Sequence, residues 1–459
     1  MSADTSRVVS LARLGVLMLA VVVISACAEA PSASADEAPR TAPPGAISSA
    51  CDPTNGGISL PSGYCAAVFA DNLGHARHLA VAPNGDVYVN TWTTERTTTA
   101  PPAGGYIVAL RDADRDGRAE AIQRFGTVYE AGVYGGGTGI AIHGDGLFVE
   151  VDDRIVRYRL TGGTLVPGIA TDTVLGGLPR TGDHQAHPFA IAPDGTMHVN
   201  SGSQTNACQV KNRTLESPGQ KPCAELAQHA GIWRYRADTM NQTFSARERF
   251  ATGLRNTIAL AVGPGAQLYA VVHGRDQLSE NWPKLYTAAQ NTDLPAETLV
   301  AVTQGTDYGW PTCYYDAAQS RYILAPEYGG DGGTSARGCE TRERPLVTFP
   351  AHWAPNGMAF TPADSPFPEY RSGAFVAFHG SWNREPAQSG FLIAFVPFVD
   401  GKPAGSYQEF ATGFAGPALP ATPDQAAYRP VGVAAGPDGS LYVSDDVKGR
   451  IWRIVRVPN

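Results

Sequence analysis

A six-bladed β-propeller, an all-β fold, is what this sequence predicts, and three observations predict it. An apolar strand, a turn built on Gly with Asn, Asp or Pro, and a second apolar strand recur together six times. The turn residues supply the positive φ angles that a tight hairpin needs. The 459 residues include 51 Gly and 35 Pro with only 17% charged side chains, a composition suited to one large all-β domain.

The copies fall, in chain order, at residues 78–90 (HLAVAPNGDVYVN), 139–151 (GIAIHGDGLFVEV), 189–201 (FAIAPDGTMHVNS), 258–272 (IALAVGPGAQLYAVV), 357–378 and 431–445 (VGVAAGPDGSLYVSD). Small or branched apolar residues alternate through each, which gives the strands. The fifth copy is stretched by an insertion at 362–372. Irregular, long connections separate the copies, and such loops on a rigid ring are where function is expected.

Ahead of the first copy, Arg7 and Arg13 precede a short apolar run over 14–26. It is too short to span a bilayer and suits the apolar region of a secretory signal, so residues 1–26 are predicted to be an export signal. The run ends Ile24-Ser25-Ala26-Cys27, which is similar to a bacterial lipobox and makes Cys27 the expected lipid-bearing residue and membrane anchor. Residues 27–50, rich in Ala, Pro and Ser, read as a tether, leaving 51–459 for the propeller. The expected location is the periplasm or cell surface.

Six further cysteines lie in three neighbouring pairs, Cys51 with Cys65, Cys208 with Cys223, and Cys313 with Cys339. Proximity favours local disulfides among the fifteen possible connectivities. No two cysteines have the close spacing of a zinc site, and no CxxCH haem motif is present. The net charge of -8, without a Lys/Arg run in the mature part, argues against a nucleic-acid partner.

Several phrases at predicted strand ends could carry chemistry. Asp183-His184-Gln185 precedes the third copy, where an Asp beside a His could fix its tautomer and leave it a general base; His187 could line the same mouth. Gly253-Leu254-Arg255-Asn256 precedes the fourth copy and His273-Gly274-Arg275-Asp276 follows it, so two arginines could hold an anion. Tyr308-Gly309-Trp310-Pro311, then His379-Gly380-Ser381-Trp382-Asn383-Arg384, and Tyr428-Arg429-Pro430 complete the set. A propeller gathers such ends around its channel. For Trp310 and Trp382, packing between blades competes with ligand stacking. Asp112, Asp114 and Asp116, with Gly117 and Glu120, alternate like the first half of a calcium loop and suit a structural cation.

Taken together, these phrases make the chain resemble the pyrroloquinoline quinone (PQQ)-dependent sugar dehydrogenases of the soluble glucose dehydrogenase type, most closely the sorbosone dehydrogenase group. The resemblance covers about residues 55 to 457. It implies PQQ over the central channel, a Ca2+ on its quinone oxygens, a sugar substrate such as an aldose, and an external electron acceptor, a quinone or cytochrome. By resemblance His184 is the base that takes the sugar's hydroxyl proton and Arg255 stabilises charge on the reduced cofactor. Asn256, His273, His379, Arg384 and Arg429 are the implied cofactor contacts, and the main-chain carbonyls of Gly274 and Arg275 the implied calcium ligands. The chain departs from the glucose enzymes in having Ser203 where an Asp orients the histidine, Val431 for a second arginine, His273 for a Gln and His187-Pro188 for a Gly-Arg pair.

Two other classes compete. A metal-dependent lactonase would need acidic and Asn side chains converging on a central cation, and Asp and Glu are not expected at the strand-end motifs. A non-catalytic propeller, serving as a binding or envelope-assembly module, would keep the scaffold alone.

Overall fold

The computed structural model describes residues 51–94, 102–131, 133 and 135–457. The expected export signal, lipidated Cys27 and tether lie outside the described residues. Within them the chain forms six antiparallel blades. The first blade comprises Ala76–Val81, Val87–Thr93, Gly105–Arg111 and Ala121–Val128, the second Ile140–His143, Gly146–Val151, Arg154–Arg159 and Thr171–Gly176. The third is Phe189–Ile191, Thr196–Ser201, Gly231–Arg236 and Arg249–Thr252; the fourth is Ala259–Val262, Leu268–Val272, Glu297–Val302 and Val347–Phe349. The fifth contains Pro355–Thr361, Gly373–His379, Phe391–Val399 and Gln408–Ala411.

In each of these blades the first strand is innermost, and it lies against the first strands of both neighbouring blades, so the six close a ring. The sixth blade completes the ring differently. Its inner strands Pro430–Ala435, Leu441–Asp445 and Ile451–Arg456 are joined at the outer edge by Tyr64–Ala70, with Tyr64 opposite Arg456 and Ala67 opposite Arg453.

All six sequence copies are first-and-second-strand hairpins. Their turns are tight because Gly85, Gly195 and Gly439 hold φ of +93°, +82° and +78°, open to glycine at little cost. The insertion in the fifth copy carries a short 3-10 turn, Pro368–Tyr370, that buries Phe367 and Tyr370 against the sheet.

Stability lies between blades rather than at the axis. Six apolar seams fill the six gaps: Tyr88 and Ile107 meet Val149 and Tyr158 between the first two blades, and Phe375 and Phe395 meet Val443 and Trp452 between the last two. Each large side chain buried there contributes about 1.5 to 3 kcal/mol. Long excursions interrupt the third and fourth blades. In the third blade one excursion is pinned by Cys208–Cys223; in the fourth another holds the hairpin Cys313–Asp316 with Arg321–Leu324 and is pinned by Cys313–Cys339. Cys51–Cys65 fastens the segment leading into the closing strand. The three local disulfides expected from proximity are therefore the ones formed, and they fit an oxidising compartment. Among the described residues no helix is long and apolar enough to cross a membrane.

Candidate active site

In every blade the first strand starts, and the second strand ends, on the same face, because the two form one antiparallel hairpin. That rule alone brings Arg77, His184, Arg255, Asn256 and Arg429 from before or within first strands to one side of the ring. It brings Ser203, His273, Gly274, His379 and Asp446 there from the ends of second strands.

His184 is the best-defined side chain of this group. Its Nδ1 lies 2.8 Å from the Ser203 carbonyl and 3.0 Å from Ser203 Oγ. The Ser203 hydroxyl donates its own proton to the Thr205 carbonyl at 2.6 Å, so both groups facing Nδ1 are acceptors. Nδ1 must carry the proton, and Nε2 is left as a lone pair. Burial, reinforced by the charge of Arg255, holds His184 well below the usual imidazole range, so it is neutral near pH 7. Ser203 thus does the orienting that the sequence suggested for Asp183, whose carboxylate instead accepts from Arg213 Nε at 2.9 Å. His187 does not line the mouth: it is fully buried, with its ring nitrogens on the carbonyls of Asn200 and Pro179.

Arg255, 3% exposed, is the hub of a buried polar network. It donates to the Gly274 carbonyl at 2.7 Å, to Asn206 Oδ1 at 3.0 Å and to Asp276 Oδ2 at 2.9 Å. Asp276 also accepts from Asn383 Nδ2 at 3.1 Å and faces His352 Nδ1 at 3.6 Å. Despite its burial, Asp276 stays far below the ordinary carboxylate range because Arg255 and His352 surround it. Asn256 reaches the same floor: its Oδ1 is buried and has no hydrogen-bond partner. A Cβ on Gly202 would stand 2.5 Å from His184 Cβ and 2.8 Å from Asn256 Oδ1, so this close approach needs glycine.

On the far side of the channel, Arg429 donates to the carbonyls of His379 and Gly380 at 3.0 and 2.8 Å. Among the described residues it makes no direct ion pair, so its charge is available to an anion. His379 Nε2 bonds Asp446 Oδ1 at 2.8 Å, and Arg77 pairs with Asp446 Oδ2 at 2.6 Å while lying 4.2 Å from the Trp92 ring centroid. His273 bonds the Pro355 carbonyl at 2.8 Å and is pushed down to about 3 by burial and then Arg255. The positive charge of Arg255 adds to burial in lowering both His184 and His273, and that of Arg429 does the same for His379.

Other expected residues lie elsewhere. Arg275 turns away to Glu327 at 2.5 Å, so it does not join Arg255 around an anion, although its backbone remains beside Gly274. Arg384 donates to the carbonyls of Thr292 and Ala351 at 2.6 and 2.9 Å, tying down the insertion of the fourth blade. Trp310 is buried against Cys208 and Ala230, the packing alternative, whereas Trp382 is 47% exposed. Asp112, Asp114, Asp116 and Glu120 converge within 4.8 Å on a hairpin of the first blade, remote in topology from the mouth.

Sequence reasoning gave no role to Arg77, Asp276, Glu297, His352 or Asp446. It also placed acidic residues away from strand ends, and the structure differs: Asp276 and Asp446 stand at the ends of second strands, and Glu297 begins a third. Asp276 and Asp446 are matched with arginines, and Glu297 accepts from the backbone amides of Gly274 and Ala354. Among the described residues none of the three belongs to a cluster of His, Cys, Asp and Glu that could hold a metal.

The profile of the TrAA12-like family matches residues 58–457. The chain belongs to this family. Among curated proteins, the TrAA12-like chain is 25% identical over 243 residues to a pyrroloquinoline quinone-dependent pyranose dehydrogenase of Coprinopsis cinerea, an alignment covering 45% of this chain and 31% of that protein. It is also 25% identical over 273 residues to an uncharacterized protein of Borreliella burgdorferi, covering 58% and 63%. The chain thus spans less than two thirds of the length of these relatives.

Solved structures share the fold. A Trichoderma reesei enzyme of carbohydrate-active family AA12 superposes with a TM-score of 0.68 at 20% identity, covering 87% of this chain and 98% of that one. The holo PQQ domain of the Coprinopsis cinerea pyranose dehydrogenase gives 0.66 at 18%, covering 87% and 97%. The PQQ-bound aldose sugar dehydrogenase of Streptomyces coelicolor gives 0.51 at 18%, covering 86% and 100%.

Proposed function

We propose that this protein is a PQQ- and Ca2+-dependent sugar dehydrogenase that oxidises an aldose or related sugar of the sorbosone or glucose type and passes electrons to an external quinone or cytochrome. The observation that carries the reading is His184, with its proton fixed on Nδ1 and Nε2 left as a base. The family match and the named activities of the relatives support it.

The residues present fit the cofactor. Arg429, which donates to two carbonyls, and Arg77 beside it suit the carboxylates of a tricarboxylate quinone, and the buried unpartnered Oδ1 of Asn256 suits a polar group laid on the floor. When bound, PQQ supplies a carbon that accepts hydride, and the calcium makes that carbon a better acceptor. His184 Nε2 removes the sugar's hydroxyl proton, and Ser203 keeps the ring aimed as its charge changes. Arg255, held by Asp276, presents positive charge without moving. The Gly274 carbonyl has a second lone pair for calcium beyond the one given to Arg255. The Asp112, Asp114 and Asp116 loop is assigned a structural cation, and Cys27 a lipid anchor that holds the enzyme at the membrane.

The test is reconstitution of purified protein with PQQ and Ca2+, read by bound-quinone absorbance and by dye reduction over a panel of sugars. Quinone binding with sugar-dependent reduction is expected. Absence of quinone binding would leave only a propeller that binds or assembles, and lactone hydrolysis without quinone would favour the hydrolase class.

A further inference from the structure

Of the seven tryptophans, Trp382 alone is exposed, at 47%. It is nonetheless held in place on both sides. Gly380 before it, at φ +88°, has no room for a Cβ, which would sit 2.2 Å from the Phe391 ring. The fully buried Ser381 donates from Oγ to Gln388 Oε1 at 2.7 Å and accepts from the Ser389 amide at 3.0 Å. Asn383 after it donates to Asp276 at 3.1 Å. An indole on so rigid a backbone is displayed rather than loose.

Its neighbours are polar and lead back to the base. The guanidinium carbon of Arg213 lies 6.0 Å from the indole centroid. Arg213 is itself pinned to Asp183 Oδ2 at 2.9 Å and Gln277 Oε1 at 2.7 Å, and it faces Asp276 at 3.4 Å. Asp183 adjoins His184, and Asp276 holds Arg255. The Oδ1 of Asn383 is buried and lacks a partner. A flat apolar face edged by fixed donors and acceptors matches a pyranose, which offers a C–H face to stack and hydroxyls around its rim.

We propose that Trp382 is the stacking platform for the substrate's pyranose ring and that Arg213 and Asn383 receive its hydroxyls, making Trp382 a determinant of preference for cyclic sugars. This rests on the sugar dehydrogenase reading for its catalytic consequence, while the binding it describes can be measured without cofactor.

The experiment uses the PQQ-free full chain and saturation-transfer NMR with D-glucose, D-galactose and cellobiose. At least one sugar is expected to bind, with affinity falling about fivefold or more in Trp382→Ala and partly restored in Trp382→Tyr. Circular dichroism checks that the variants fold. In the PQQ- and Ca2+-loaded enzyme, the ratio of kcat/KM for glucose to that for acyclic glyceraldehyde should drop by a similar factor in Trp382→Ala. Unchanged affinity in Trp382→Ala, binding by none of the three sugars, or an unchanged ratio overturns the proposal. Sugar binding that depends on Trp382 in a protein that reduces no dye would sink the dehydrogenase reading and leave this one standing.

Discussion

Arg255 and Asp276 form a buried ion pair, Nη2 to Oδ2 at 2.9 Å, at the centre of the mouth. Removing one partner strands the other's charge in a dry site, a loss of about 3 to 5 kcal/mol. Asp276→Asn and Arg255→Ala are each expected to lower the urea midpoint, and the double variant should lose much less than the sum. Additive losses would show that the two are not energetically coupled. Arg255→Ala should also weaken PQQ binding and slow turnover together; an unchanged affinity and rate would remove it from the site.

His184→Ala is expected to retain PQQ while kcat falls by at least about 100-fold, the usual worth of a general base. Because His184 is neutral down to acid pH, the acid limb of kcat/KM should lie well below 6.5. A limb near 7 would identify a different base.

Gly202→Ala places a methyl group against His184 Cβ and Asn256 Oδ1. Turnover should drop more than tenfold, roughly the cost of a displaced catalytic group, in a protein that still folds. Wild-type activity would mean that the floor of the site yields freely.

Stability should fall on mild acidification. His78, His198 and His379 are each pushed down to about 4, chiefly by burial, and burial with the charge of Arg255 also holds His184 well below the usual imidazole range. As pH drops from 6.5 toward 4, the unfolded chain takes up protons that the folded one refuses, which favours unfolding. Asp445 and Glu297, raised by burial to about 6 and 7, act in the opposite sense between their unfolded values and these. The histidines outnumber them, so the cofactor-free protein should melt about 10 °C or more lower at pH 4.5 than at pH 7. A level or rising melting temperature by calorimetry would contradict this.

The hairpins were legible because Asn84-Gly85 and Asp194-Gly195 announce their own turns, and local chemistry suffices for them. Tyr64–Ala70 was not legible as the outer strand of the last blade, since its partner lies at the other end of the chain and no local pattern names it. At the mouth, His184, Arg255 and Arg429 sit in recognisable phrases at strand ends on one face of the ring. Arg77 and Asp446 escaped notice although they directly adjoin repeat copies; asking which residue borders each copy would have found both. The phrase around Asp276 assigns it no role, because only three-dimensional packing discloses that Arg213, Arg255 and Asn383 all turn toward it.

Sealing the ring with Tyr64–Ala70 beside Ile451–Arg456 makes completion a late event in biosynthesis. Until the final strand emerges from the ribosome, the early one has no hydrogen-bonding mate and remains a bare edge, open to pairing with other nascent chains. A chain halted shortly before Ile451 would carry nearly every side chain of the mouth and still lack the clasp that holds them in register.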